Sequence, residues 1–245
     1  MYRQEDTHFE VGMQMNIRSQ LRKYLRSYPR WRFAPPRVQS RRKLQLFGSE
    51  YGGYFLDPSE MGPEAIVYSL GVGEDISFDL ALIHQYGVLV HAFDPTPRVK
   101  TWLASQTLPR QFQFHEVGVT DFDGEGIFYL PPRSDFISHS LISARQYSNE
   151  SIHVPMIRLS TVMKQMGHQR IDVLKMDVEG AEYAILEDLV REKIHVNQIL
   201  VEFHHRLSSI GTKKTRGVLS LLNEYGMKVC YVCPRVEVFT LVSAR

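Results

Sequence analysis

From residue 66 onward, short apolar segments alternate with segments of helical periodicity, and this alternation limits the fold more than any other feature of the sequence. The apolar segments have the length and the Val, Ile, Leu and Phe content of buried strands. Strands and helices in alternation are typical of a parallel sheet with helices on both faces. The predicted strands are residues 66–70, 88–93, 112–119, 126–130, 171–176 and 198–203, and the predicted helices are residues 78–85, 98–105, 160–166, 181–189 and 213–225.

The C-terminal segments break this alternation. Residues 227–233 and 236–242 both have strand character, and only Pro234 and Arg235 lie between them. No crossover helix fits into two residues, so the two strands must form an antiparallel hairpin. A mostly parallel α/β sheet that ends in such a hairpin is the architecture of the class I methyltransferase (Rossmann-like) fold. An ordinary dinucleotide dehydrogenase does not end in this way.

The first 50 residues differ in charge from the rest of the chain. They hold 11 Lys and Arg against 4 Asp and Glu, whereas the net charge of the whole chain is only +2. Apolar residues at helical spacing, such as Met13, Ile17 and Leu21, predict a basic amphipathic helix there. Such a helix either contacts an acidic membrane surface or a partner, or packs on the domain, and the second interpretation is favoured. We predict a basic helical extension over residues 1–50 and a methyltransferase domain over residues 51–245.

Composition and charge exclude several classes of protein. Hydrophobic residues make up 43% and charged residues 23% of the chain, which is typical of a globular domain. The small net charge gives no reason to expect a nucleic-acid partner. Two cysteines, Cys230 and Cys233, in a strand-like segment predict reduced thiols rather than a secreted disulfide scaffold. With no apolar membrane span and no signal-peptide core, we expect a cytoplasmic protein.

The turn after the first predicted strand contains Gly71 and Gly73. In open parallel sheets the ligand lies beyond the carboxyl ends of the strands, and glycine lets the backbone approach it closely. Ile76 stands where the dinucleotide fingerprint needs a third glycine. Glu74 and Asp75 at the start of the next helix disfavour a phosphate and suit a cationic ligand. The turn therefore argues against NAD.

Asp94 ends the second predicted strand, 21 residues after Gly73. A carboxylate at this position can accept two hydrogen bonds from a ribose diol. The alternative is a turn-forming Asp before Pro95, and ribose binding is the favoured interpretation. A ligand with a ribose and a positive charge but no phosphate is S-adenosylmethionine. The predicted cofactor-binding residues are Gly71, Gly73, Asp75, Asp94, Pro95 and Gly118.

Acidic residues and a histidine follow the next two strands of the predicted sheet. Asp177 ends one strand, and Glu202 and His204 end the next, with a spacing that puts both on one face. We predict that Asp177, Glu179, Glu202 and His204 are catalytic, with Asp177 or His204 as the general base for a hydroxyl acceptor. Two alternatives stay open. Asp177 and Glu179 fit a helix start, and Asp177, Glu202 and His204 resemble a divalent-metal set, which is the less favoured interpretation.

These residues carry a resemblance to a known family. Residues 171–182 resemble the I-D-x-x-K-x-D-x-E-G-x-E signature of the FkbM-type methyltransferases. Further segments resemble that family in the glycine turn, the ribose-binding stretch, the Val-Pro stretch before the fourth strand and the fifth strand. Residues 47–53 and 202–206 resemble its eukaryotic methyltransferase-like branch. The matching segments are residues 67–73, 92–97, 154–162 and 199–202.

The resemblance implies S-adenosylmethionine-dependent methylation, commonly of a hydroxyl oxygen on a sugar or a small metabolite. It implies that Gly71 and Gly73 form the cofactor turn, that Asp94 is the ribose acid, and that Asp177 and Glu179 are the acids at the active edge. The chain departs from the family where Ser69 replaces the usual acid, where Gly71-Val72-Gly73 replaces Gly-Ala-Asn, and where Asp94 replaces Glu.

Ser69 raises a second hypothesis, a methyltransferase-like binding module without turnover whose basic arm contacts a membrane or a polyanion. A nicotinamide oxidoreductase is disfavoured by Ile76 and the hairpin, and a serine hydrolase by the absence of a G-x-S-x-G elbow. We expect a small-molecule or glycan hydroxyl as the acceptor. The predicted acceptor pocket comprises the polar stretch 131–151 with Tyr51, Tyr54, His139 and Arg145.

Overall fold

The computed structural model describes residues 36–129, 151–207, 209–235 and 237–244. The predicted basic helix lies outside these residues, as do His139, Arg145 and all but the last residue of the polar stretch 131–151. Twelve strands and five α-helices are assigned in the described part of the chain. The strands are β1 (Gln45–Phe47), β2 (Tyr54–Leu56), β3 (Ile66–Leu70), β4 (Leu89–Phe93), β5 (Phe112–His115), β6 (Gly118–Thr120), β7 (Gly124–Tyr129), β8 (Ser151–Arg158), β9 (Ile171–Met176), β10 (Val196–Glu202), β11 (Met227–Val232) and β12 (Val238–Ser243). The helices are α1 (Ser77–Tyr86), α2 (Pro97–Leu103), α3 (Leu159–Met166), α4 (Glu182–Arg191) and α5 (Gly211–Tyr225).

Seven of these strands form one sheet in the order β11-β12-β10-β9-β3-β4-β5. The pairs among β5, β4, β3, β9 and β10 are all parallel, whereas β12 pairs antiparallel with both β10 and β11. The C-terminal hairpin is therefore present, and the last strand lies between β10 and β11. This confirms the predicted α/β class I methyltransferase fold.

Side chains on the two faces of the sheet enter two separate hydrophobic cores. All six residues of β9 are buried. Leu174 and Met176 belong to one core and Val173 to the other. This two-sided burial follows from the alternation of side chains along a strand, and it explains why apolar residues occur at both odd and even positions of the central strands.

The strand register aligns the carboxyl ends of the central strands. Leu70 of β3 is level with Phe93 of β4 and with Met176 of β9, and Met176 is level with Val201 of β10. The residues that follow these strands therefore meet at one edge of the sheet.

The predicted third strand, residues 112–119, is wrong as a single element. It comprises two strands: β5 in the main sheet, and β6 in a separate three-stranded sheet of order β6-β8-β7. A tight turn, in which Val117 N donates to His115 O at 2.8 Å, separates them. The sequence analysis also did not predict β8, which contains Pro155; there Pro155 is level with Glu125 of β7.

The packed part of the chain begins before the predicted boundary between residues 50 and 51. Strand β1 pairs with β2 and buries Phe47. Farther upstream, Gln39 N donates to Val229 O at 2.7 Å. Among the described residues, no helix has the length and apolarity needed to cross a membrane.

Candidate active site at the carboxyl edge of the sheet

Gly71 begins the turn after β3 and adopts a left-handed conformation with φ +69°. Its N–H donates to Phe93 O at 2.9 Å, and its carbonyl accepts a hydrogen bond of 2.6 Å from Lys175 Nζ. A Cβ at this position would lie 1.8 Å from Asp177 O. Gly71 therefore allows the turn to contact the backbone after β9, which is a packing requirement that the sequence analysis did not anticipate.

Gly73 has a different environment in the same turn. Its φ is also positive, +55°, but a Cβ there would meet no described atom within 4 Å. The backbone at Gly73 thus borders open space at the edge where the ligand is expected.

Asp94 lies against this turn, as the sequence analysis predicts. Its Oδ2 accepts a hydrogen bond of 3.1 Å from Gly73 N, and its Oδ1 accepts one of 2.9 Å from Thr96 N. One carboxylate oxygen therefore holds the glycine turn, and the other stabilises the turn that contains Pro95. Its role toward ribose stays a prediction.

The other predicted cofactor residues have structural partners of their own. Asp75 accepts hydrogen bonds from Ser49 Oγ at 2.6 Å and from Ser77 N at 2.9 Å, so it ties the β1–β2 loop to the start of α1. Burial alone would raise the pKa of Asp75, but these hydrogen bonds lower it overall. Gly118 packs closely, since a Cβ there would lie 2.6 Å from Met156 Sδ and 3.1 Å from Pro95 Cγ.

Beneath the turn, Ser69 is level with Lys175 on the neighbouring strand, and both are buried. Asp79 of α1 is buried close to them. Burial raises the pKa of Asp79 to about 6, although the charge of Lys175 opposes this shift. Lys175 therefore has an acid nearby even though Ser69, its neighbour on β3, is not acidic, and this acid comes from α1.

Four carboxylates surround one histidine at the ends of β9 and β10. His204 Nδ1 is 2.7 Å from Glu182 Oε1, and its Nε2 is 3.3 Å from Glu179 Oε2 and 3.7 Å from Asp177 Oδ1. Glu202 lies on the same acidic edge, and its pKa responds to the charge of Asp177. The structure thus brings all four predicted catalytic residues together.

Local backbone geometry explains why Glu179 belongs to this group. Glu179 has a φ of +49°, which is uncommon for a residue other than glycine. The following amide, Gly180 N, donates to Glu182 Oε1 at 3.0 Å. The chain therefore turns sharply before α4 and returns Glu179 toward His204.

The acids determine the protonation of His204. Burial would lower the pKa of His204, but the hydrogen bond and charge of Glu182, with the charges of Glu179 and Asp177, raise it to about 10. Both ring nitrogens contact carboxylates, so His204 is a poor proton acceptor in this arrangement. Of the two general bases predicted from the sequence, only Asp177 fits this geometry.

The pKa of the Glu202 carboxyl group is raised. Burial, and then the negative charge of Asp177, raise the pKa of Glu202 to about 7, while His204 opposes this shift. The less favoured metal set of Asp177, Glu202 and His204 also differs from the structure at this residue. Asp177, Glu179 and His204 have ligand atoms within 4.8 Å of one another, and Glu202 is not one of this group.

Residues 61–229 match the family model described as the Methyltransferase FkbM domain. This match covers more than half of the chain. The chain belongs to the FkbM methyltransferase family. Together with the strand order, the match identifies the fold as that of the S-adenosylmethionine-dependent methyltransferases.

Two curated relatives carry the name "Probable methyltransferase-like protein 24". The protein from Rattus norvegicus is 31% identical over 142 residues, which cover 56% of this chain and 32% of the relative. The protein from Homo sapiens is 29% identical over 171 residues, which cover 66% of this chain and 40% of the relative. The matched part of the chain thus spans about a third to two fifths of these relatives' length.

Solved structures similar to this FkbM family member include a methyltransferase FkbM from Methylobacillus flagellatus KT, with a TM-score of 0.46, 13% identity and coverage of 75% of this chain and 44% of that chain. The Methanococcus jannaschii fibrillarin has a TM-score of 0.42 and 10% identity and covers 86% of this chain and 87% of its own. An Aeropyrum pernix fibrillarin, solved with natively bound S-adenosyl-L-methionine, has a TM-score of 0.37 and 11% identity and covers 85% of this chain and 84% of its own.

The two tyrosines predicted for the acceptor pocket of this FkbM domain have different environments. Tyr51 is 93% exposed and lies near the charges of Asp177 and Glu202. Tyr54 is only 4% exposed and packs edge-to-face on Phe78. Tyr51 is therefore accessible beside the acidic edge. Tyr54 belongs to the hydrophobic core, so its predicted place in the acceptor pocket is wrong.

A hollow of about 460 Å³ lies between the small sheet and the start of α4. Gly180 and Ala181, which directly follow Glu179, line it, together with Phe122 and Ile127 from the small sheet and Lys214 from α5. The sequence analysis missed this hollow because the small sheet itself was not predicted. The exposed apolar side chains of Phe122 and Ile127 were the available signal.

Proposed function

We propose that this protein transfers a methyl group from S-adenosylmethionine to a hydroxyl oxygen of a sugar or other small molecule. The observation that carries the proposal is that the Gly71–Gly73 turn lies at one sheet edge between Asp94, which accepts a hydrogen bond from Gly73 N, and Asp177, whose backbone carbonyl packs against Gly71. Membership of the FkbM family supports the same reaction class.

The residues present fit the cofactor. Gly73 borders open space, and Asp94 is fixed beside it with carboxylate oxygens that accept ribose hydroxyls as well as backbone N–H groups. The acidic edge suits the positive charge of a sulfonium. When bound, S-adenosylmethionine supplies an electrophilic methyl group.

The chain's own residues would orient the acceptor and take its proton. Asp177 is a part-exposed carboxylate at this edge, with 37% of its side chain accessible, against 22% for Glu179. We assign Asp177 the proton that the acceptor hydroxyl loses as the new C–O bond forms and the C–S bond breaks. Tyr51 and the hollow beside Gly180 provide surface on which an acceptor can lie. Orientation of this kind is a major part of catalysis for a two-substrate transfer.

Calorimetric titration with S-adenosylmethionine and S-adenosylhomocysteine tests the cofactor assignment. We expect one site per chain for each ligand. Incubation with isotopically labelled S-adenosylmethionine and a panel of sugars and hydroxylated metabolites then tests transfer, with the label expected on oxygen. The absence of binding at millimolar cofactor would refute the proposal.

The alternative is a methyltransferase-like binding module without turnover. This alternative is favoured by Ser69, which is fully buried near the end of β3. The family that the sequence resembles usually has an acid at this position. Cofactor binding without transfer to any member of the panel would support this alternative.

A further inference from the structure

Asp177, Glu179 and His204 each offer one ligand atom, and these atoms lie within 4.8 Å of one another. It is the one group of three or more such side chains found within the described part of the chain. Two carboxylate oxygens and one imidazole nitrogen form a mixed donor set that suits Mn²⁺ and Zn²⁺. The types of donor atom in this group are therefore suitable for binding a divalent metal ion.

The orientation of His204 is that of a metal ligand. Glu182 Oε1 holds Nδ1 at 2.7 Å, so Nε2 points toward Glu179 Oε2 at 3.3 Å and Asp177 Oδ1 at 3.7 Å. Histidines that bind metals commonly have their second ring nitrogen held by a carboxylate in this way. Ligand atoms about 2.1 Å from a shared ion lie about 3.0–3.5 Å apart, so small side-chain movements suffice.

Glu182 provides an independent observation. Its side chain is 0% exposed, and its Oε2 has no hydrogen-bond partner among the described residues. A buried carboxylate is costly unless its charge is compensated. One imidazolium cannot neutralise Glu182, Glu179 and Asp177 together, whereas a divalent ion on the far side of the ring brings the group closer to neutrality.

We propose that Asp177, Glu179 and His204 bind a divalent metal ion such as Mn²⁺ or Zn²⁺, with Glu182 as the positioning residue for His204. Three protein ligands leave coordination positions open for water or for another molecule. If the proposed function holds, those positions face the methyl acceptor, and the acceptor class narrows to molecules with two neighbouring oxygens that can chelate the ion. This consequence rests on the proposed function, whereas the metal site itself does not.

Metal titration of the full chain tests the site. After removal of metals with EDTA and desalting, MnCl₂ and ZnCl₂ are titrated by calorimetry, and free Mn²⁺ is followed by electron paramagnetic resonance. We expect one ion per chain. Asp177→Asn and Glu179→Gln should each weaken binding at least 10-fold, and Glu182→Gln about 10–100-fold. Glu116→Gln is the matched control, because Glu116 pairs with Lys100 on the surface, and it should leave binding unchanged.

Spectroscopy of bound Mn²⁺ identifies the histidine. Electron spin echo modulation should show coupling to an imidazole nitrogen in the wild type and lose it in His204→Gln, with circular dichroism used to confirm that the variant is folded.

Absence of binding at 1 mM of both ions would overturn the site, as would unchanged affinity in both Asp177→Asn and Glu179→Gln. Unchanged affinity in Glu182→Gln would overturn its positioning role. Metal binding without S-adenosylhomocysteine binding would contradict the proposed function alone, and the reverse result would contradict the metal site alone.

Discussion

At the scale of single residues, Asp94 and Asp177 both have structural contacts in addition to the functional roles that we propose for them. Asp94 accepts hydrogen bonds from Gly73 N and Thr96 N, so its removal would leave two backbone donors without their acceptor. Asp177 directly follows β9 in the segment that leads to α4, and its N–H donates to Leu70 O at 3.0 Å. Tests of function at these positions therefore need substitutions that preserve the local backbone.

Asp94→Asn should weaken binding of S-adenosylhomocysteine by about 1–3 kcal/mol. The amide is close in shape to the carboxylate but keeps only one acceptor oxygen, so it loses the charge, one acceptor for the ribose diol and the hydrogen bond to one of the two backbone N–H groups. Calorimetry measures the affinity, and a thermal melt checks the fold, with Glu116→Gln as the control. Unchanged affinity in a folded variant would count against the ribose assignment.

Asp177→Asn should lower the turnover number by about 10²–10⁴-fold and change the affinity for S-adenosylhomocysteine much less. The amide is nearly isosteric but cannot accept the acceptor's proton. Steady-state rates of methyl transfer and calorimetry give the two quantities. An equal loss of turnover and cofactor affinity would instead indicate a structural role at the start of α4.

At the scale of elements, the turn after β3 is held by its neighbours on both sides. Gly71 contacts β4 through Phe93 O and the end of β9 through Lys175 and Asp177. Gly73 belongs to the same turn and shares its left-handed conformation but borders open space. Packing therefore restricts Gly71, whereas Gly73 is the glycine of this turn that the proposed function places next to the ligand.

Gly71→Ala should lower the free energy of unfolding by about 2–5 kcal/mol, because it adds backbone strain and a clash with Asp177 O. Gly73→Ala should cost only about 1–2 kcal/mol of stability from strain, but it should weaken binding of S-adenosylhomocysteine. Urea unfolding and calorimetry measure the two effects. If the two variants were equally stable, the close packing at Gly71 would be in doubt.

At the scale of the whole molecule, a histidine cluster joins β4, β5 and the end of α3. His91 Nδ1 lies 3.2 Å from His115 Nε2, and the rings of His91 and His168 are 5.3 Å apart. Tyr68 OH hydrogen-bonds to His168 Nδ1 at 2.7 Å. Burial, then the neighbouring histidines, lower the pKa of His91 to about 4.

This cluster predicts that the protein loses stability in mild acid. The unfolded chain takes up a proton on His91 near pH 6.5, whereas the folded protein resists protonation until about pH 4. Unfolding is therefore favoured as the pH falls through this window. Urea unfolding at several pH values should show a smaller loss in His91→Gln than in the wild type, with His195→Gln as an exposed control. An identical pH dependence in His91→Gln would contradict this assignment.

The amino-acid pattern alone predicts the central architecture. The largely apolar strands β3, β4, β9 and β10 are buried on both faces, so their composition identifies them. The two residues between the predicted strands 227–233 and 236–242 allow only a hairpin, and β11 and β12 do pair antiparallel, although five residues, 233–237, separate them. The pattern also predicts that Gly73, Asp94, Asp177 and His204 share one edge, because parallel strands end together. The short strands of the small sheet depend on pairing between segments far apart in the chain, so local pattern did not reveal them.

The chemistry of the acidic edge depends on contacts that form only in the folded protein. The left-handed turn at Glu179 brings that carboxylate to His204, while Glu202, the residue that spacing favoured, lies outside the group of Asp177, Glu179 and His204. The contact of buried Glu182 with His204 Nδ1 makes the histidine a poor candidate for the general base. The physical reason is that burial, charge and hydrogen-bond direction depend on distances between side chains from different elements, and sequence spacing does not specify these distances.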